Sequence, residues 1–360
     1  MRPFPFHRLA LSVAVVAVVA LAGCSSESDE SAADAGDEAA TTTTTTAAPD
    51  LADAEPVPSP GCAAPATDQV ALERTDLSIG GADRYYLLTT PAPTDEPLPL
   101  VVDLHGLMEG AQIHAVMTQF GEYGQEQGFV TAFPHGSGDP VRWDADPASD
   151  PNLDLEYLDA MLTQIGDERC IDTARVYATG LSYGAIMSSF LACERSEVFA
   201  AMAPVDGITM PEGCDPTDPM PMLTTHGTED PILLFNGGVG DLGNLLGDAP
   251  TAAPAETTAP TTTAPIDLEG PGYPETVAEW AELNGCEDEF TDTEVTDEVI
   301  HRVYDCPADA AVEFYIVVGG GHSWPSSEFS ESIGDIVGPT TFDIDATELA
   351  WEFFQRFSRG

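Results

Sequence analysis

The chain has 360 residues, of which 62 are Asp or Glu and 11 are Arg, and it contains no Lys. Its formal net charge of −51 at pH 7 repels nucleic acid and anionic lipid surfaces, so we exclude a nucleic-acid-binding function. No acidic cluster has the spacing of a calcium-binding loop, and no pair of cysteines has the close spacing of zinc ligands. We therefore expect no metal and no cofactor.

The first 23 residues are predicted to be a signal peptide. Arg2 and Arg8 precede an apolar stretch, residues 9–22, that carries no charge. The residues that follow resemble the lipobox of bacterial lipoproteins, in which cleavage precedes a cysteine that then receives a lipid. This similarity predicts lipidated Cys24 as the first residue of a protein that is secreted and tethered to the outer face of the bacterial cell membrane. A transmembrane anchor is the alternative, but the stretch is shorter than the roughly 20 residues that span a bilayer.

Two segments have a composition that cannot form a hydrophobic core. Residues 24–61 are rich in Thr, Ala, Pro and acidic residues, and we expect a disordered acidic linker there. Residues from about 237 to 272 contain similar Thr and Pro repeats, which predict a disordered surface insertion. The remainder of residues 62–360 suits one globular domain.

Within this domain, short apolar stretches alternate with helical ones, which is typical of a mostly parallel sheet with helices on both faces. Strands are predicted at residues 84–89, 98–104, 129–133, 175–178, 199–204, 222–225 and 314–318. Helices are predicted at residues 153–165, 182–192 and 347–357. The first strand is expected to be antiparallel and close to an edge of the sheet.

The strongest local motif is Gly180-Leu181-Ser182-Tyr183-Gly184, between a predicted strand and a predicted helix. This is the pattern of a nucleophile elbow, which exposes a serine at the carboxyl end of the sheet in α/β-hydrolases. Glycines two residues on either side allow the neighbouring backbone to approach closely. We therefore predict the α/β-hydrolase fold, with Ser182 as the nucleophile.

Chain order in this fold places an acid after a later strand and a histidine after the last one. Asp230 follows the strand at 222–225, and His322 follows the strand at 314–318. We predict that His322 is the general base and that Asp230 orients its ring. Glu229 and Asp206 are the competing acids.

A tetrahedral intermediate also needs preorganised hydrogen-bond donors. The backbone N–H of Tyr183, at the start of a helix, is one predicted donor. The second is predicted to be the N–H of Leu107, in the loop after the strand at 98–104, with Gly106 as the alternative.

Assigning Cys24 to lipid leaves six of the seven cysteines, and an even number in an exported chain indicates disulfides. Fifteen pairings are possible. We expect Cys170 to pair with Cys193, because both should lie at the bottom of the sheet, before and after the elbow. The other expected pairs are Cys286–Cys306 and, by elimination, Cys62–Cys214. Free buried thiols are the alternative for the first pair.

Several segments of the chain resemble secreted esterases of the polyhydroxybutyrate depolymerase and feruloyl esterase type. They are residues 104–106, 170–184, 192–194, 226–230, 284–286 and 320–325. The resemblance implies that Asp230, and not Glu229, is the acid. It also implies a carboxylesterase that acts on esters of short hydroxy acids, hydroxycinnamates or acetylated sugars.

Two further tryptophans, Trp143 and Trp324, are expected to line the acyl pocket, with packing at a strand end as the alternative. We expect a monomer whose only membrane contact is the lipid on Cys24 and whose partner is a small or polymeric ester. A serine peptidase on the same fold is one competing function. A noncatalytic cell-surface binding lipoprotein is another, although such proteins usually lack a member of the triad.

Overall fold

A computed structural model describes residues 54–240 and 265–359. The strands are β1 (Glu73–Ile79), β2 (Ala82–Thr89), β3 (Leu98–Leu104), β4 (Val130–Pro134), β5 (Ile171–Leu181), β6 (Ala201–Val205), β7 (Met222–Gly227), β8 (Phe290–Thr296), β9 (Val299–Tyr304) and β10 (Val312–Val317). The helices are α1 (Gly110–Thr118), α2 (Phe120–Gln127), α3 (Leu153–Glu168), α4 (Tyr183–Glu194), α5 (Tyr273–Leu283), α6 (Glu328–Ser332), α7 (Gly334–Val337) and α8 (Ala346–Phe354).

The strands form one sheet in the order β1-β2-β4-β3-β5-β6-β7-β10-β9-β8. The six central strands, β4-β3-β5-β6-β7-β10, are parallel to one another. At one side β2 and β1 continue the sheet in antiparallel pairing, and at the other side β9 and β8 do so. The predicted mostly parallel sheet with helices is therefore confirmed. The carboxyl ends of the parallel strands share one edge, where ligands bind in open sheets of this kind.

Hydrophobic side chains cover both faces of the sheet. Along β3, Val102 packs on one face with Tyr157 of α3 and Met187 of α4. The adjacent Val101 packs on the other face with Phe120 of α2. Because successive strand residues point to opposite faces, an unbroken apolar strand is buried on both sides. This double burial holds the strand ends that carry the candidate site.

The disulfides correct two of the expected pairings. The structure pairs Cys62 with Cys170, Cys193 with Cys214, and Cys286 with Cys306. The third pair is as expected, whereas the expected pairs Cys170–Cys193 and Cys62–Cys214 are wrong. The start of β5 lies beside the segment before β1, because Ser59 N–H donates to the carbonyl of Ile171 at 2.8 Å. That contact brings Cys62 to Cys170.

The other corrected pair joins the end of α4 to the long loop between β6 and β7. This loop folds back to α4, and Thr217 N–H donates to the hydroxyl of Ser196 at 2.9 Å. Cys193 is therefore closer to a later loop than to the start of the strand before it.

Some residues that were predicted to be disordered are ordered: residues 54–61 of the linker, and residues 237–240 and 265–272 of the insertion. Residues 54–61 are held against β5; for example, Val57 N–H donates to the carboxylate of Asp172 at 2.8 Å. Beyond the insertion, Asp267 N–H donates to the side-chain oxygen of Asn236 at 2.9 Å. The predicted signal peptide, Cys24, linker residues 24–53 and insertion residues 241–264 lie outside the described residues. Among the described helices, none has the length and apolarity needed to cross a bilayer.

Candidate active site

Ser182 lies at the sharp turn between β5 and α4. Its φ of 58° and ψ of −117° fall in a backbone region that residues other than glycine rarely adopt. Such backbone strain is typical of functional sites. The turn is held from both sides: Ser182 N–H donates to the carbonyl of Val205, and Ile186 N–H donates to the carbonyl of Ser182. The serine is therefore fixed in a strained conformation at the carboxyl edge of the sheet.

The glycines of the elbow are required by the close approach of β3. A Cβ atom on Gly184 would lie 1.8 Å from the carbonyl oxygen of Leu104, and one on Gly180 would lie 2.4 Å from the same atom. No side chain fits at either position. The motif thus reflects packing of the turn against the end of the adjacent strand.

His322 and Asp230 meet at the same edge of the sheet. Asp230 follows β7, His322 lies in the loop after β10, and their Oδ2 and Nδ1 atoms are 2.7 Å apart. Both side chains are buried. The Nδ1–H of His322 donates to this carboxylate, which leaves Nε2 to exchange a proton with another group. Ser182 and His322 line one cleft.

The two competing acids lie elsewhere. Glu229 is exposed to solvent. Asp206 is buried, but its Oδ1 accepts from Gly227 N–H at 3.1 Å and its Oδ2 accepts from Ser323 N–H at 2.7 Å. It therefore ties the loops after β6, β7 and β10 together. Burial raises the pKa of Asp206 to about 6, and the nearby Asp230 charge adds to this, against the opposing effect of His226.

The surroundings of Asp230 favour its ionised form. Although burial opposes ionisation, the charge of His322 and hydrogen bonds from His226 and His322 lower the Asp230 pKa. Its other oxygen, Oδ1, accepts from the N–H groups of Ile232 at 2.7 Å and Leu233 at 2.9 Å. Burial lowers the pKa of His322, but the Asp230 carboxylate outweighs this effect, so the pKa is raised.

Three of these groups are close enough to hold a metal ion: Asp206, Asp230 and His322 offer ligand atoms within 4.8 Å of one another. Their atoms already have other partners, however. The Nδ1 of His322 bonds Asp230, and both oxygens of Asp206 accept backbone N–H groups. We therefore interpret the cluster as acid–base machinery with its scaffold.

The predicted oxyanion donors flank Ser182. Gly106 lies against the nucleophile, because a Cβ atom there would lie 3.6 Å from the Cβ of Ser182. Its N–H donates to Oε2 of Glu109 at 2.6 Å, so the alternative donor Gly106 is already engaged. Within the described part of the chain, the N–H groups of Leu107 and Tyr183 have no protein acceptor. Both are free to bind an oxyanion, as their predicted role requires.

The cleft beside Ser182 and His322 has a volume of about 430 Å³ and is almost entirely apolar. Its apolar lining consists of Leu107, Met108, Ile113, Met117, Leu181, Ile232, Phe329, Ile333, Ile336 and Val337. At its mouth, Met108 is 59% exposed and Ile336 is 55% exposed. A cleft of this size and character suits a small apolar group.

Neither predicted pocket tryptophan lines this cleft. The indole N–H of Trp143 donates to the backbone carbonyl of His105 at 2.8 Å, and its ring packs against the His105 imidazole at a tilt of 34°. The indole N–H of Trp324 donates to the hydroxyl of Thr347 at 3.1 Å. Both rings are turned into the core, where a buried acceptor satisfies the N–H group. The expected pocket role is therefore wrong, and both residues brace the loops of the site.

His105 and His226, each followed by a glycine at the end of a strand, hold the adjacent loops by hydrogen bonds. The Nε2 of His105 accepts from Gly136 N–H at 2.9 Å, so its Nδ1–H donates to the carbonyl of Gly106 at 2.7 Å. Burial lowers the pKa of His105 to about 3. The Nε2 of His226 lies 2.9 Å from the carbonyl of Leu233, beside Asp230.

The sequence analysis did not identify Glu109 and His114 as residues of the site. Neither residue belongs to a recognisable sequence motif.

Part of the chain matches a known protein family. Residues 84–247 match the family described as Esterase PHB depolymerase. Over these residues, which make up less than half of the chain, the sequence is similar to that family. Ser182 and Asp230 lie inside the matched region and His322 lies beyond it. The predicted family resemblance is confirmed.

Two feruloyl esterases are among the relatives. Feruloyl esterase B of Piromyces equi is 27% identical over 241 residues, which cover 64% of this chain and 40% of that protein. Feruloyl esterase C of Emericella nidulans is 34% identical over 187 residues, which cover 50% of this chain and 65% of that protein. The chain thus spans less than two thirds of either relative.

The solved acetyl xylan esterase from Aspergillus awamori has the same fold. It superposes with a TM-score of 0.51 at 14% identity, and the match covers 73% of this chain and 98% of that one. At this identity the likeness concerns the fold, which is the α/β-hydrolase fold predicted from the elbow.

Proposed function

We propose that this protein is a serine carboxylesterase that acts through Ser182, His322 and Asp230. The observation that carries the proposal is the 2.7 Å contact between His322 Nδ1 and Asp230 Oδ2, in a cleft that Ser182 shares. The family match over residues 84–247 and the two feruloyl esterase relatives support it.

In the proposed reaction, Ser182 attacks the ester carbonyl while His322 takes the hydroxyl proton at Nε2. The N–H groups of Leu107 and Tyr183 stabilise the negative oxygen of the tetrahedral intermediate. Collapse of this intermediate transfers the proton from His322 to the departing alcohol and leaves an acyl-enzyme. Water, activated by the same histidine, then releases the acid and restores Ser182.

The apolar cleft supports a substrate with a small apolar or aromatic group. Feruloyl, acetyl and short hydroxyalkanoyl esters fit this description, and two relatives of the chain are feruloyl esterases. We expect hydrolysis of short nitrophenyl esters, methyl ferulate or hydroxybutyrate oligomers, measured as initial rates beside a peptide anilide. Cleavage of the anilide but no ester would indicate a peptidase. Turnover of neither, without labelling by a fluorophosphonate probe, would indicate a binding protein.

We also propose that the enzyme is exported and tethered through lipid on Cys24. Three disulfides among the described residues support an oxidising compartment. The tether itself rests on the lipobox-like sequence at the N-terminus. Mass spectrometry of the mature N-terminus would detect either a lipid-modified Cys24 or a different first residue.

The pH dependence of kcat/KM should report the ionisation of His322. Because the base must be neutral for attack, kcat/KM should rise with pH and level off, with a midpoint above the ordinary histidine pKa of 6.5. Asp230, Asp206 and Glu109 all favour the charged ring. Added salt should lower the midpoint, because it screens the attraction between the acidic surface and the imidazolium. Profiles at low and high salt with the same midpoint would contradict a contribution from surface charge.

A further inference from the structure

Behind the loop that carries Leu107 lies a chain of three ionisable side chains. His114, on α1, is completely buried, and its Nε2 lies 2.7 Å from Oδ1 of Asp103 at the end of β3. Its Nδ1 lies 3.2 Å from Oε1 of Glu109. The second oxygen of Asp103 accepts from the hydroxyl of Thr118 at 2.6 Å. The chain therefore connects the core to Glu109, which lines the cleft beside Ser182.

The position of His114 between two carboxylates implies that its ring is protonated. A neutral imidazole has one N–H, whereas both nitrogens of His114 face carboxylate oxygens that can only accept. Burial lowers the pKa of His114, but the charges of Asp103 and Glu109 outweigh this effect and raise it to about 10. Although burial opposes its ionisation, Glu109 has a lowered pKa because of the His114 charge.

Glu109 in turn fixes the backbone of the oxyanion loop. Its Oε2 accepts from the N–H of Gly106 at 2.6 Å, which holds the peptide group before that residue. The next peptide group is held by His105, whose Nδ1–H donates to the carbonyl of Gly106 at 2.7 Å. In a planar trans peptide the C=O and N–H groups point in opposite directions. Fixing the Gly106 carbonyl therefore also fixes the direction of the Leu107 N–H.

We propose that Glu109, held by the His114 imidazolium, is a positioning residue that orients the oxyanion loop so that Leu107 N–H meets the reacting oxygen. The inference rests on the proposed esterase function. Glycine at position 106 leaves room for this contact, since a Cβ atom there would lie only 3.0 Å from Oε2 of Glu109. Without the carboxylate, the loop would lose its charge-assisted bond, which is roughly twice as strong as a neutral one.

Kinetics of Glu109 variants test the proposal. Glu109→Ala should lower kcat by roughly 10- to 100-fold, less than the ~100- to 1,000-fold typical for loss of an oxyanion donor, because the Leu107 N–H remains but is less well oriented. KM should change by less than about twofold, since the bond affects the transition state more than bound substrate. Glu109→Gln should recover part of kcat, because the amide oxygen still accepts from Gly106. The exposed Glu122 on α2 provides the matched control, and Glu122→Ala should retain wild-type kinetics.

A wild-type kcat in Glu109→Ala would overturn the proposal, as would equal losses in the Ala and Gln variants. If Glu109→Ala fails to fold, Glu109→Gln decides: a kcat loss of roughly two- to tenfold at constant KM supports the role, and wild-type kcat overturns it. NMR of ¹⁵N-histidine-labelled enzyme adds a readout independent of activity. His114 should show both nitrogens protonated at pH 8, and a neutral ring would overturn the proposed ion chain. If the proposed esterase function itself is wrong, the wild-type protein would hydrolyse no ester and would not be labelled by a fluorophosphonate probe.

Discussion

Replacing Ser182 with alanine should lower kcat on any ester substrate by roughly 10⁴- to 10⁶-fold, as expected for loss of a triad nucleophile. The strained backbone at this position is held by hydrogen bonds from the main chain, so the fold should survive the change. Only the attacking oxygen is removed. The residual rate would come from the oxyanion donors and from substrate binding, which the variant keeps. Initial rates and labelling by a fluorophosphonate probe measure the loss.

Ser188→Ala is a matched control for this variant. Ser188 lies on α4, the helix that follows Ser182, and is buried, but its hydroxyl donates to the carbonyl of Gly184 at 2.9 Å. We expect this variant to be labelled and to hydrolyse esters within about fivefold of the wild-type rate, since it loses one hydrogen bond inside the helix, worth about 1 kcal/mol. If Ser182→Ala is still labelled, the nucleophile is a different residue.

Asp230→Asn should lower kcat by about 10⁴-fold, the loss seen when a triad aspartate becomes an amide. The carboxylate accepts two backbone N–H groups at Oδ1 and the His322 ring at Oδ2. In the variant, the amide oxygen keeps the backbone bonds, so the NH₂ group faces the ring. The ring must then present Nδ1 as an acceptor, which places its proton on Nε2 and prevents it from acting as the base.

Glu229→Gln is the control for this change, because the side chain is adjacent in sequence and exposed to solvent. It should alter kcat by less than about twofold, within the small effects usual for surface substitutions. Asp206→Asn separates scaffolding from catalysis, since Asp206 accepts only backbone N–H groups. This variant should lower the melting temperature, whereas the orientation of His322 should stay the same. If Glu229→Gln were the variant with the larger loss of turnover, the acid would have to be reassigned.

The parts of the fold that could be predicted from sequence are those in which burial leaves a continuous apolar pattern. The strands from β3 to β7 and β10 are mostly buried on both faces, so each contains a short, mainly apolar stretch. β1 and β8 were missed because most of their side chains are exposed. The helix α1 was missed because it begins with glycine and carries a buried histidine on its inner face.

The disulfides show where local reasoning fails. The expected pair Cys170–Cys193 assumed that residues before and after the elbow meet at the bottom of the sheet. Each cysteine instead pairs with a segment distant from the elbow. Those segments are held by backbone hydrogen bonds, such as that from Ser59 to Ile171, which have no signature in the side-chain pattern.

By itself, the sequence determined the elbow at Ser182 and the order of its partners along the chain. Both follow from local rules: glycines where backbones touch, and polar residues after buried strands. Only the tertiary structure decided which groups face them. It turned Trp143 and Trp324 into the core, placed Asp230 and not Asp206 against the His322 ring, and joined Glu109 to the oxyanion loop. These outcomes depend on contacts between distant segments, where a difference of a few ångströms separates a reacting group from a structural one.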